Sequence, residues 1–172
     1  MSETNPGSGR VVVGVDGSAG SVAALHFAFN EAKRRGTGLL VVSAFELPNL
    51  WSLTSGLPAS CTPEQLQRSV LHNTRRVVTE ALDDRISAED APDVEITVWQ
   101  GGAARVLVSA AAGSALLVVG SRGLGGFRGM LLGSVSLTCV LHAPCPVTVV
   151  PSADDQNHAA DSELPGGPAA IR

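Results

Sequence analysis

Glycines and a serine at fixed spacing follow an apolar stretch, Leu-Leu-Val-Val, in the second half of the chain. Gly120, Gly123, Gly133 and Ser134 are separated by two and then nine residues. Because glycine has no Cβ, the backbone here can approach a ligand closely and turn its amides toward it. Gly133 and Ser134 also begin a predicted helix, so unpaired N–H groups and the helix dipole are expected to attract an anion there. Together with the positive charge of Arg122, the pattern predicts a phosphate-binding surface.

The same residues have simpler interpretations. A glycine-rich stretch can be only a flexible connection, and Asp16 can cap the helix that follows it instead of contacting a ligand. Arg128 can be a solvated loop charge. Other nucleotide signatures do not fit, because the chain has no Gly-x4-Gly-Lys-Ser/Thr and its first turn reads Gly14-x2-Gly17-x2-Gly20 instead of Gly-x-Gly-x2-Gly. A P-loop nucleotide hydrolase and a typical NAD domain are therefore disfavoured.

The spacing resembles that of the ATP-binding universal stress proteins. The sequence VVVGVDGS at residues 11–18 is similar to the family's first strand and turn, and CPVTVVP at residues 145–151 is similar to its last strand. The resemblance extends over residues 10–151. It implies an ATP-binding regulatory or stress-response module, with ADP or AMP as other candidate ligands.

The resemblance also implies a role for each residue of the expected site. The phosphates would lie against Arg122, Gly123, Gly133, Ser134 and Val135, and Gly120 would reach the site at the end of the fourth strand. Gly14 and Val15 come from the end of the first strand, and adenine would meet Val15 and Ala44. Asp16 would lie near the ribose or assist a Mg²⁺ ion that phosphate oxygens and water mainly hold, since magnesium dehydrates reluctantly.

Apolar periodicity predicts the elements that position these residues. Short apolar runs alternate with helical segments, which favours a doubly wound, mostly parallel α/β sheet. The resemblance implies five strands in the order 3-2-1-4-5 with four helices, an adenine-nucleotide alpha-hydrolase-like fold. We expect strands at 11–15, 39–45, 94–98, 116–119 and 147–150. We expect helices from Ser18 to Gly36, from Thr62 to about Asp84, from Gly102 to Ala112 and from Ser134 to His142.

The faces of these elements are also predicted. The first helix should bury Val22, Leu25, Phe29 and Ala32, and the second should bury Leu66, Val70, Val77 and Ala81. Val94, Ile96 and Val98 alternate with polar residues, which indicates a strand near a sheet edge.

Two cysteines and a histidine near the end of the domain invite a metal interpretation, which we reject. Cys139, His142 and Cys145 form Cys-x2-His-x2-Cys, but no second pair completes a tetrahedral zinc site. Cys139 fits the inner face of the last helix as a small apolar residue. An odd number of cysteines without a secretory signal favours reduced thiols.

Length and charge set limits on function. The chain has 172 residues, which corresponds to one domain, and a formal net charge of −4. We assign a flexible N-terminus to residues 1–9, the nucleotide-binding domain to 10–151 and a disordered acidic tail to 152–172. An irregular flap is expected at 46–62. The nearly neutral domain argues against nucleic acid as a partner, and interrupted apolar runs argue against a membrane. A cytoplasmic protein is the expectation.

Three classes of function remain open at this point. The leading one is a regulatory binding module, because no residue is evident that would position a hydrolytic water. An enzyme with slow ATPase or adenylating activity is the second, and a nucleotide-free dimeric scaffold is the third. The resemblance implies a homodimer in which the strands Val147–Val150 pair, and an apolar edge strand with unpaired backbone groups would benefit from such a partner.

Overall fold

A five-stranded parallel sheet organises the chain. The computed structural model describes residues 9–47, 62–125 and 132–152. The strands are β1 (Val11–Gly14), β2 (Leu39–Phe45), β3 (Val94–Gln100), β4 (Leu116–Gly120) and β5 (Val147–Val150). The helices within the described ranges are α1 (Ala19–Arg35), α2 (Pro63–Leu82), α3 (Ala103–Ala110) and α4 (Ser134–His142), and a 3-10 helix at Asp83–Ser87 follows α2.

The strand order is β3-β2-β1-β4-β5, which confirms the predicted doubly wound fold. Every neighbouring pair runs parallel; Val13, for example, lies opposite Val41 of β2 and Val118 of β4. The order reverses on either side of β1. Such a switch point opens a crevice at the carboxyl ends of β1 and β4, where α/β proteins bind ligands.

Local capping explains where the helices begin and end. Ser18 accepts a hydrogen bond from the Ser21 amide and so caps the N-terminus of α1, while Gly36 ends that helix at φ 63°, in the left-handed region. Thr62 and Gln65 form the predicted capping box at the start of α2. The structure therefore confirms both predicted helix starts to within one residue.

Two apolar cores cover the faces of the sheet. One contains α1 and α2, with Leu25, Phe29 and Leu82 fully or almost fully buried against β1 and β2. The other contains α3 and α4, with Leu107 and the completely buried Cys139 packed against the opposite face. Hydrophobic burial on both sides accounts for the nearly continuous apolar runs of β1, β2 and β4.

The buried face of α2 differs from the prediction. Leu66, Val70, Val77 and Ala81 are only half-buried, and the buried residues are Thr74, Val78 and Leu82. A polar Thr74 occupies the core because its hydroxyl has partners there, which apolar periodicity does not report. In α1 the prediction holds for Leu25, Phe29 and Ala32, whereas Val22 is half-buried.

The remaining expectations concern the ends of the chain and the flap. Most of the expected flap, residues 48–61, lies outside the described residues, as do residues 1–8 and 153–172, which comprise nearly all of the two expected disordered ends. In the parts of the chain that the structure covers, no helix is long and apolar enough to cross a membrane.

Candidate functional site

A cavity of about 600 Å³ opens at the switch point, beyond the ends of β1 and β4. Its walls come from the ends of three strands, the first turns of α3 and α4, and the residues that follow β4. Among the described residues it is lined by Gly14, Val15, Asp16, Ser21, Val42, Ala44, Ala103, Leu107, Val119, Gly120, Arg122, Gly123, Leu124, Gly125, Leu132, Gly133, Ser134, Val135, Ser136 and Leu137.

All ten residues predicted from the sequence line this one cavity. The strand ends bring Gly14, Val15 and Ala44 together with Gly120, although long stretches of sequence separate them. The N-terminus of α4 faces them from the other side with Ser134. Both the spacing pattern and the family resemblance therefore selected residues that are neighbours in space.

The cavity also has lining residues that were not predicted. Val42 lies two residues before Ala44 on β2, so its side chain points to the same face, and this alternation could have identified it. Leu107 reaches the cavity from α3, and no local signal in the sequence connects that helix with the glycines. Ser21 and Ala103 were missed for the same reason, whereas Leu132 and Leu137 lie close in sequence to Gly133 and Ser134, which could have identified them.

The inner part of the cavity is apolar. Val42, Ala44, Leu107 and Val119 contribute aliphatic side chains that pack with the second core. An apolar slot between side chains of this kind suits a flat heteroaromatic ring, because the ring leaves water and contacts dispersion partners on both faces.

The outer part offers hydrogen-bond donors at the start of α4. The helix begins at Ser134 after an extended Gly133 with φ −74° and ψ 162°, and no side chain caps it. The first amides of a helix have no acceptor within the helix, so the Ser134 and Val135 N–H groups are available to an anion. Ser136 is buried and donates its hydroxyl to the Gly120 carbonyl at 2.6 Å, which ties this helix end to β4.

The expectation that Gly133 supplies an unpaired amide is wrong. Its N–H donates to the Ser121 carbonyl at 2.8 Å. Gly133 instead leaves space beside the cavity. A Cβ added to it would lie 3.5 Å from the Ser121 carbonyl oxygen, its nearest neighbour among the described residues, and would make only ordinary van der Waals contacts with them.

Two of the predicted glycines make close contacts inside the protein, Gly120 with backbone and Gly14 with the end of the Leu107 side chain, which can move more easily. A Cβ on Gly120 would lie 2.6 Å from the carbonyl carbon of Gly20, so β4 and the first turn of α1 touch backbone to backbone. A Cβ on Gly14 would lie 2.8 Å from Cδ1 of Leu107. These glycines therefore bring α1 and α3 close to the strand ends, and they shape the cavity indirectly.

Asp16 connects the two loops at the mouth of the cavity. Its Oδ1 accepts hydrogen bonds from the amide and the hydroxyl of Ser18 at 2.9 and 2.6 Å, and its Oδ2 accepts one from the Leu124 amide at 3.2 Å. Desolvation of the carboxylate opposes ionisation, but the hydrogen bonds from Ser18 and the Leu124 amide outweigh it and lower the pKa of Asp16. The carboxylate is therefore ionised at neutral pH. Ser18, and not Asp16, is the N-cap of α1.

The surroundings of Asp16 determine how it could assist a metal ion. Its carboxylate already accepts three hydrogen bonds, and the described residues contain no cluster of three carboxylate, imidazole or thiolate groups that could enclose a metal. One ionised carboxylate fits Mg²⁺ only where the ligand and water supply most of the oxygens, as magnesium commonly allows.

Comparison with known proteins identifies the family. The sequence profile of the universal stress protein family matches residues 7–151. The chain belongs to the universal stress protein family. Universal stress protein Rv2005c of Mycobacterium tuberculosis is 39% identical over 143 residues, which cover 81% of this chain and 44% of that protein. The chain thus spans less than half the length of such relatives.

Solved universal stress proteins share the fold. UspA of Lactobacillus plantarum superposes with a TM-score of 0.65 at 23% identity, over 85% of this chain and 99% of that one. A crystal structure of a universal stress protein in complex with cAMP has a TM-score of 0.57 at 26% identity, over 86% of this chain and 99% of that one. The sheet order and helix placement are therefore those of the universal stress protein fold.

Proposed function

We propose that this universal stress protein is a regulatory module that binds an adenine nucleotide, ATP with Mg²⁺ foremost, in the cavity at the switch point. The observation that carries the proposal is the lining of that cavity. It joins an apolar slot to the uncapped start of a helix within about 600 Å³. A nucleotide has the same two parts, a flat base and an anionic tail.

The base is assigned to the inner slot. Ala44 and Val15 would contact adenine, as the resemblance implies, and Val42 and Leu107 extend the same apolar wall. Burial of the ring would supply most of the hydrophobic stabilisation. The known complex of a related protein with cAMP supports an adenine ring as the ligand class.

The phosphates are assigned to the outer part. The amides of Ser134 and Val135 would donate to phosphate oxygens, and Arg122 would supply charge beside Gly123. Asp16 would face the ribose or assist Mg²⁺ through water, while its hydrogen bonds to Ser18 and Leu124 persist.

Binding would regulate the protein by stabilising one arrangement of the two loops that Asp16 connects. A ligand at a hundred times its dissociation constant adds about 2.7 kcal/mol to native-state stability. Where only one arrangement of the two loops binds the ligand, the same energy shifts the equilibrium between the arrangements. We assign the protein to the cytoplasm as part of this proposal.

We also propose a homodimer through β5. This strand lies at the edge of the sheet and its four residues, Val147–Val150, are only partly buried. Next to it, α4 exposes the large apolar side chains of Leu137, Val140 and Leu141. An apolar edge strand flanked by exposed aliphatic side chains is a self-association surface, since a second β5 would satisfy its outward backbone groups.

Native mass spectrometry of gently purified protein tests the binding proposal. We expect a fraction of the protein to carry an adenine nucleotide, and added ATP with Mg²⁺ to saturate the rest at one per chain. Protein that arrives empty and stays empty at millimolar ATP would instead support the nucleotide-free scaffold.

A further inference from the structure

A chain of buried hydroxyl groups runs from α2 to the cavity wall. Ser43 of β2 donates its hydroxyl to the Val15 carbonyl at 2.5 Å. Behind it, the hydroxyl of Thr74 lies 2.9 Å from the Ser43 oxygen. All three residues are about 5% exposed, so water does not compete for these groups. Val15 directly follows β1, Ser43 belongs to β2 and Thr74 to α2, so the hydroxyl chain joins three parts of the fold.

The Val15 carbonyl lies just beyond the end of strand β1. The β1 ladder ends at Gly14, yet the Val15 amide still donates to the Val42 carbonyl of β2 at 2.9 Å. The amide and the carbonyl of Val15 therefore both point toward β2, and the Ser43 hydroxyl takes the place of the next ladder donor. A buried carbonyl without such a donor would carry a desolvation penalty.

This orientation fixes the direction of the next amide. In a planar trans peptide the N–H of Asp16 points opposite to the carbonyl of Val15. Since β1 lies between β2 and β4, that N–H points toward β4 and the side of the cavity formed by Gly120 and Gly123. The hydroxyl chain thus determines how the Val15–Asp16 peptide meets the cavity.

We propose that Ser43 and Thr74 are positioning residues for nucleotide binding, which hold the Val15–Asp16 peptide so that the Asp16 N–H is presented to the ligand. The inference rests on the proposed function. The inference adds the Asp16 N–H as a donor at the mouth of the cavity, and it adds Ser43 and Thr74, which do not line the cavity. It also connects α2 with the site, so that displacement of this helix would change nucleotide affinity.

Thr74 has one hydroxyl hydrogen and two acceptors at 2.9 Å, the Ser43 oxygen and the Val70 carbonyl. Ser43 gives its own hydrogen to Val15 and can therefore only accept from Thr74. Loss of the Thr74 hydroxyl would leave the Ser43 oxygen without a donor and free Ser43 to turn away from Val15. The methyl group of Thr74 has no part in this chain.

Isothermal titration of the full chain with Mg-ATP tests the proposal through four variants. We expect Ser43→Ala to weaken binding by about tenfold and Thr74→Val by about threefold to tenfold, as for the loss of one buried hydrogen bond. Thr74→Ser keeps the hydroxyl and should bind within about twofold of the wild type. Ser114→Ala is the matched control, because Ser114 is also buried and donates to a carbonyl, that of Ala111, but does not line the cavity.

The paired variants of Thr74 separate positioning from packing. If the residue only fills space, Thr74→Val should bind normally and Thr74→Ser should be the weaker variant. Wild-type binding with all four variants unchanged would overturn the positioning role and leave the proposed function standing. Wild-type protein that does not bind Mg-ATP would overturn both. Thermal unfolding of each variant reports whether it is folded at the temperature of the titration.

Discussion

A Cβ added to Gly123 would lie 2.5 Å from Oδ2 of Asp16, which is closer than a side-chain carbon can approach a carboxylate oxygen. The same oxygen accepts a hydrogen bond from the Leu124 amide at 3.2 Å. Gly123 therefore allows the loop after β4 to close on the turn after β1. The glycine serves a contact within the protein as well as the candidate phosphate site.

Gly123→Ala should destabilise the protein through Asp16. The carboxylate must rotate away from the new methyl group and lose its hydrogen bond to Leu124, at a cost of about 1 kcal/mol in the free energy of unfolding. Urea denaturation measures this. In an Asp16→Ala background the same substitution should cost almost nothing, and equal costs in the two backgrounds would show that the two residues are not coupled.

Gly120→Ala at the end of β4 should be more harmful than a substitution in the loop that follows. Its Cβ would meet the Gly20 backbone at 2.6 Å, and neither the strand nor the helix can move without disturbing the core. We expect a loss of about 2–3 kcal/mol, typical of overpacking. Gly125→Ala is the control, since no atom of the described residues lies within 4 Å of its added Cβ, and it should change stability by less than about 0.5 kcal/mol. Similar losses in both variants would contradict the backbone contact.

Cys139 should be chemically inert in the folded protein. Burial raises the pKa of its thiol to about 11, so almost none is thiolate at neutral pH, and the side chain is completely buried. Iodoacetamide labelling followed by peptide mass spectrometry should modify the partly exposed Cys145 first, and Cys139 only after unfolding. Equal labelling of both in native protein would show that α4 opens readily.

A proline at the β5 edge should separate the proposed dimer. The Pro146 carbonyl accepts a hydrogen bond from Leu117 of β4, and the Val150 carbonyl accepts one from Ser121, which directly follows β4. Because the direction of the backbone groups alternates along a strand, Val149 directs its amide away from β4, toward the open edge. Val149→Pro removes that outward donor without breaking a bond inside the sheet. Light scattering after size exclusion should give a dimer for the wild type and for Val149→Ala, the control that loses the same side chain, and a monomer for Val149→Pro. A monomeric wild type at micromolar concentration would refute the dimer.

Local and periodic signals predicted most of the fold. Ser18, Gly36 and the Thr62–Gln65 capping box set helix boundaries through contacts a few residues apart, and these were confirmed. Buried Thr74 was missed because its partner, Ser43, is 31 residues away in sequence. Apolar periodicity selects faces by hydrophobicity and so cannot identify a buried polar pair.

The sequence predicted which residues form the candidate site better than it predicted what each of them does. The spacing of Gly120, Gly123 and Gly133 located the cavity, but Gly120 packs on Gly20 and the Gly133 amide is already paired with Ser121. Such contacts depend on which helix crosses which strand. That information is distributed over the whole chain, and a motif of fifteen residues (120–134) does not contain it.

The central claim is that an adenine nucleotide places its phosphates between Gly123 and the start of α4. Titration of wild type, Gly133→Val and Gly102→Val with Mg-ATP tests it most directly. Gly133 and Gly102 are both N-cap glycines in extended backbone, with φ −74° and −62°, and Gly102 does not line the cavity. We predict that Gly133→Val weakens binding by at least about tenfold, equivalent to about 1.4 kcal/mol, while Gly102→Val binds like the wild type. Equal affinity of all three proteins would contradict the proposed position of the phosphates.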